Sequence, residues 1–148
     1  MGRIGRLDAM NHRRIQSGDR MEIRRDPRQD RRKERGAAAE EAAARYLSSL
    51  GYQVLERNWR CRSGEIDLIA RDGEVLVFVE VRSRRTGSRF GAAVEAVTPR
   101  KIRQVRGVAG VYLSFHPHVA GPVRFDVVAV TLQSDDSVAD LRHVKAAF

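Results

Sequence analysis

Residues 63–84, SGEIDLIARDGEVLVFVEVRSR, constrain this chain more than any other stretch. Two apolar, largely alternating runs flank Asp72-Gly73, a dipeptide suited to the positive φ angles of a two-residue hairpin turn. Taken literally, that turn pairs Arg71 with Glu74, Ile69 with Leu76, Asp67 with Phe78 and Glu65 with Glu80. Successive strand side chains point to opposite faces. One face then carries Ile66, Leu68, Val75, Val77, Val79 and Val81, and must be buried. The other carries Glu65, Asp67, Glu80 and Arg82 beside Ile69, Leu76 and Phe78, so it is at least partly covered.

Like charges directly opposite one another on a sheet are destabilising. The acidic cluster makes sense if a divalent cation sits among the oxygens, because hard cations such as Mg²⁺ take carboxylates, a backbone carbonyl and waters. The competing reading leaves the carboxylates at the end of the sheet, bonded to water or to Arg60, Arg62 and Arg82. Spacing alone leaves both open.

The flanks read as an α/β unit. AAAEEAAARYLSSLG spaces Ala39, Ala43, Tyr46, Leu47 and Leu50 on one helical face, with Gly51 as the residue that ends it. Glu40 lies about 100° round that helix from Ala39, at 3.6 residues per turn, and can tip toward a sheet beneath. A solvated Glu near a helix start is the plainer reading. A first strand is expected over 52–60, and residues 85–97 read as a loop. Thr98-Pro99 starts a second helix running to about Leu113, with Ile102, Val105, Val108, Ala109 and Tyr112 inward and Arg100, Lys101, Arg103 and Arg106 outward. A further strand is expected over 123–132. His116-Pro117-His118, His143 and Cys61 read as incidental.

Charge divides the chain. Residues 1–35 carry a net +6 and residues 36–148 a net +3. The first segment lacks apolar periodicity and reads as a basic, disordered arm, either a solubilising tail or a contact for phosphates. Residues 36–148 form the expected single domain. The lone Cys61 excludes an internal disulfide and suits a reducing compartment. No apolar run of 18 residues and no secretory leader are visible, so a cytoplasmic protein without a membrane span is expected. There is no internal repeat, phosphate-binding glycine loop, paired CxxC or nucleophile elbow.

GAAAEEAAARYLSSLGY, ERNWR, GEIDLIARDGEVLVFVEVRSR, AVTPRK and RFDVVAV, in that order, resemble the bacterial YraN family, also called UPF0102. The resemblance spans roughly residues 35–148. That family in turn resembles the PD-(D/E)xK superfamily. The resemblance implies an α/β, restriction-endonuclease-like fold, a mixed β-sheet flanked by helices with its metal site on adjacent strands. It places Asp67 at the first acidic position, Glu80 at the second, Arg82 where Lys is usual, Glu40 at the acidic position of the first helix and Lys101 at a recurring basic position of the later helix. Arg82 is the departure: a guanidinium keeps its proton and cannot act as a general base.

Two functions follow from the resemblance. The first is a Mg²⁺- or Mn²⁺-dependent nuclease acting on DNA. Asp67, Glu80 and the Val81 carbonyl hold the metal, with Glu65 close by. Glu40 holds a water or second metal, Arg82 stabilises charge, and Arg100, Lys101 and Arg103 bind nucleic acid. The second is a nucleic-acid-binding repair or recombination protein without the chemistry, which Arg82 and the arm favour. Related folds often form homodimers, but no interface is legible in the sequence.

Overall fold

The computed structural model describes residues 26–87 and 97–148. Most of the basic arm (1–25) and most of the expected loop (88–96) lie outside them. Seven elements follow in order: α1 (Pro27–Ser49), β1 (Gln53–Cys61), β2 (Gly64–Asp72), β3 (Val75–Arg85), α2 (Pro99–Phe115), β4 (Val123–Leu132) and β5 (Val138–Val144). The strands form one sheet in the order β1-β2-β3-β4-β5. Only β3 and β4 run parallel, and α2 makes the crossover that a parallel pair requires. The expected mixed α/β sheet flanked by helices is what forms.

Each helix covers one sheet face. Ala39, Ala43, Ala44 and Leu47 of α1 pack on Leu68, Ala70, Val77, Val79, Val128, Val130 and Leu132. Val105, Val108, Ala109 and Tyr112 of α2 pack on Ile66, Ile69, Leu76 and Phe78. Small alanines let α1 lie close to the β-branched surface. The inward set expected of α2 is the set found, with Ile102 half-buried at its start. Among the described residues no helix is long and apolar enough to cross a membrane.

Four expectations need correction. Helix α1 begins at Pro27, not near Gly36, because Asp26 caps it through the Arg28 N–H (2.9 Å) and Pro27 stands at the first helical position. Nothing before Ala39 is buried among the described residues, so this added length projects from the core. The hairpin register is also shifted. Asp72 remains in the ladder opposite Val75, and Arg71 faces Leu76, leaving Gly73 (φ 59°) and Glu74 as the turn residues. Arg124 of β4 binds the Asp72 carboxylate at 3.1 Å, a partner that no local turn rule can contain. Third, Ile66 packs toward α2, not alongside Leu68. The β2–β3 pairing stops at Leu68 opposite Val79, so strict alternation fails just where Asp67 sits. Fourth, β5 was not anticipated; its exposed, mixed residues lack a clear period.

Candidate functional site

The corrected register changes which carboxylates meet. One step beyond the last β2–β3 pair, Asp67 comes beside Glu80; Glu65 does not. Asp67 Oδ2 accepts a hydrogen bond from the Val81 N–H at 2.8 Å, so its side chain replaces the missing ladder contact. The Asp67 and Glu80 carboxyl groups lie close enough to act on each other's protonation. Glu80 is only 5% exposed.

Burial first, then the charge of Glu80, raises Asp67 from 3.8 to about 7, despite the opposing Val81 N–H. Glu40 and Glu65 push the same way through space. Burial likewise raises Glu80, and Lys101 works against it most strongly. Two carboxyls that cannot both shed their protons into a buried site behave as one unit.

Lys101 is the cation of this unit. Thr98 caps α2 by accepting the Lys101 backbone N–H at 3.2 Å, which sets the first turn. From there the Lys101 Nζ reaches Glu80 Oε1 at 3.5 Å, with about a third of its side chain exposed. Lys101 therefore leaves the outward basic set, in which Arg100 and Arg103 remain exposed. Arg82, half-buried, acts on Glu80 by charge alone and makes no ion pair with it within 4 Å.

Glu40 is half-buried on α1, near enough for its charge to act on Asp67 through space. Glu65 is drawn aside: its Oε2 is bound by Arg60 Nε at 2.8 Å. The site thus gathers Asp67, Glu80, Lys101 and the Val81 backbone, with Glu40 and Arg82 around them and Glu65 at the edge.

Among the described residues no three His, Cys, Asp or Glu side chains are grouped to hold a metal ion. The donor chemistry nevertheless suits a small hard cation. Mg²⁺ keeps several waters and asks for only one or two carboxylates. Asp67 and Glu80 supply two, and burial raises the pKa of both, so a proton and a cation compete for them.

Sequence reasoning missed a second polar cluster. Asp126 is fully buried on β4. It accepts hydrogen bonds from Arg124 Nε (2.8 Å) and the Ala146 N–H (3.0 Å), and pairs with His143 Nε2 at 2.8 Å. Arg124 also reaches Asp72 and the Tyr52 hydroxyl, the latter at 2.8 Å. His143 is therefore not incidental: it ties β5 to the core. The available signal was Arg124-x-Asp126 inside an apolar strand. His116 is structural, its Nδ1 on the Tyr112 carbonyl at 2.8 Å and its ring stacked on Tyr112.

Residues 39–130 match the model of the family described as Uncharacterised protein family UPF0102. A UPF0102 protein of Frankia casuarinae is 47% identical over 113 residues, covering 76% of this chain and 94% of its own length. One of Kineococcus radiotolerans is 51% identical over 110 residues, covering 74% and 88%. One of Pelotomaculum thermopropionicum is 47% identical over 119 residues, covering 80% and 98%.

Proposed function

The chain belongs to the UPF0102 family, and from that premise we propose that it is a divalent-metal-dependent nuclease acting on DNA. The family description brings no activity with it, so the reading rests on the site. The observation that carries it is the Asp67–Glu80 carboxyl pair on adjacent strands, Glu80 buried and Asp67 half-buried, faced by Lys101.

Asp67, Glu80 and the Val81 carbonyl would hold Mg²⁺ or Mn²⁺, which supplies Lewis acidity toward a phosphate and lowers the pKa of a water. The protein supplies the rest. The Val81 N–H fixes the Asp67 carboxylate in one orientation. Lys101, already poised over Glu80, meets the negative charge that grows on a phosphate oxygen, where a fixed cation in a partly dry site is most effective. Arg82 keeps its proton, so its role is charge and not proton removal. Glu40 accepts a hydrogen bond from water on the α1 side. Exposed Arg100 and Arg103 bind the phosphate backbone, a sequence-independent contact.

Arg82 at the usual Lys position also favours a second reading, a protein that binds DNA without cutting it. Incubating the protein with linear, flapped and branched DNA, in Mn²⁺ or in EDTA, separates the two. The expected result is Mn²⁺-dependent cleavage that falls about 10²-fold or more in Asp67→Asn and Glu80→Gln. Binding with no product leaves the second reading. Product formed equally well by both variants removes the site assignment.

A further inference from the structure

We infer that β5 is a dimerisation edge, pairing antiparallel with the β5 of a second copy about a two-fold axis through Leu141. The sheet has two edge strands, and they differ. The edge of β1 is interrupted by a register shift between Val54 and Glu56 and by Asn58 in the left-handed region (φ 52°). Such irregularities blunt an edge against pairing. β5 has a register shift of its own, between its pairs with Thr131 and Leu132, but it falls at the start of the strand: from Asp140 to Val144 the residues pair in continuous register with β4, and that stretch contains no proline, glycine or lysine. Its outer backbone edge faces no other strand among the described residues.

The charges of β5 select one partner and one register. Asp140 and Arg142 share a face, joined at 3.4 Å, and both are well exposed (57% and 70%). An antiparallel self-pairing centred on Leu141 sets Asp140 opposite Arg142 of the other copy, twice by symmetry. Opposite charges in directly facing positions are favourable. Centring one residue earlier sets Asp140 against itself, and one residue later sets Arg142 against itself. Each neighbouring register therefore brings like charges together, so register and symmetry are specified at once.

A second surface adjoins the same edge. Ala38 and Ala42 of α1 with Val138 and Leu141 of β5 line an apolar trough of about 500 Å³, rimmed by Glu41 and Arg45. Leu141 is half-buried there, and Val138 is 46% exposed. Pairing through Leu141 places two such troughs on either side of the axis and removes their apolar surface from water. The occupant that fits both the charge pattern and the trough is the chain itself, independently of what the Asp67–Glu80 site does.

Sedimentation velocity on the full chain over a wide concentration range tests this. The wild type is expected to form a concentration-dependent dimer of twice 16.7 kDa. Asp140→Arg alone and Arg142→Asp alone each place like charges opposite one another, and each should weaken dimerisation about tenfold or more. The double variant Asp140→Arg/Arg142→Asp should recover the dimer. Mixing the two single variants should give a heterodimer, because each copy then offers the charge the other lacks. Both sites are exposed, so the single variants should fold, which circular dichroism is to check. A wild type monomeric at every concentration overturns the inference. So does a dimer indifferent to the single reversals, a double variant or mixture that fails to re-form it, or growth into open-ended aggregates.

Discussion

Replacing Asp67 by Asn in the metal-free protein should stabilise it, and do so more as pH rises. Asn keeps an oxygen to accept the Val81 N–H and adds an N–H₂ that can donate to Glu80. What it removes is an ionisable group that folding places badly. The Asp67 carboxyl rises from 3.8 to about 7 on folding, through burial and then the charge of Glu80. An acid whose pKa is raised in the folded state binds protons more tightly there than in the unfolded chain. Its contribution is complete below pH 3.8, is lost as pH climbs through about 7, and changes no further above that. At 1.36 kcal/mol per pH unit the full rise corresponds to about 4 kcal/mol. Asp67 is only half-buried and its titration is tied to that of Glu80, so about 2 kcal/mol is expected. Urea denaturation in EDTA, followed by circular dichroism, reads the difference between variant and wild type at each pH. That difference should be small near pH 4 and reach about 2 kcal/mol by about pH 8. Adding Mn²⁺ should then raise the wild type by mass action and leave Asp67→Asn behind. A difference that is flat with pH, or a variant less stable at high pH, would refute the crowding on which the site argument stands.

Burial pushes the Asp126 carboxyl up, but hydrogen bonds from Arg124 and His143 outweigh it and hold it below the usual range. Its stabilisation is therefore present above the ordinary carboxylate value and lost as pH falls through the lowered one. Asp126→Ala should cost about 2–3 kcal/mol, because it takes a fully buried charged acceptor from Arg124, which keeps Asp72, and from His143, and should flatten the acid limb of a Tm-against-pH curve. Gly64→Ala should cost about 1–3 kcal/mol by chemical denaturation: Gly64 has φ 139°, and an added Cβ would lie 2.7 Å from Gln104 Nε2. Lys101→Met removes the ammonium beside Glu80, so NMR titration should show the carboxyl pair shifting upward. If DNA is cleaved, the same change should slow the reaction about 10²-fold, whereas Arg82→Lys should retain or raise the rate. No upward shift in Lys101→Met would sever Lys101 from the site.

The elements legible in the sequence were those whose cause lies within a few residues. Thr98-Pro99 announces α2, and the 3.6-residue period names its inward Val105, Val108, Ala109 and Tyr112. The largely apolar stretch VRFDVVAVTL outlines β4 as Val123–Leu132. Alternation in β2 and β3 put Asp67 and Glu80 on a common face without fixing their partners. Capping, backbone sterics and side-chain period act locally, so the chain states them openly. Tertiary structure decided everything that depends on a distant partner. Asp72-Gly73 and Gly73-Glu74 both serve as a turn, and Arg124, 52 residues away, holds Asp72 in the ladder that sets Asp67 beside Glu80. Lys101 and Arg103 look alike in sequence, yet only Lys101 stands within reach of a buried carboxylate. His143 gains its meaning only where β5 folds it onto Asp126. Ion pairing and register are energies between segments, and no window of neighbouring residues contains both partners.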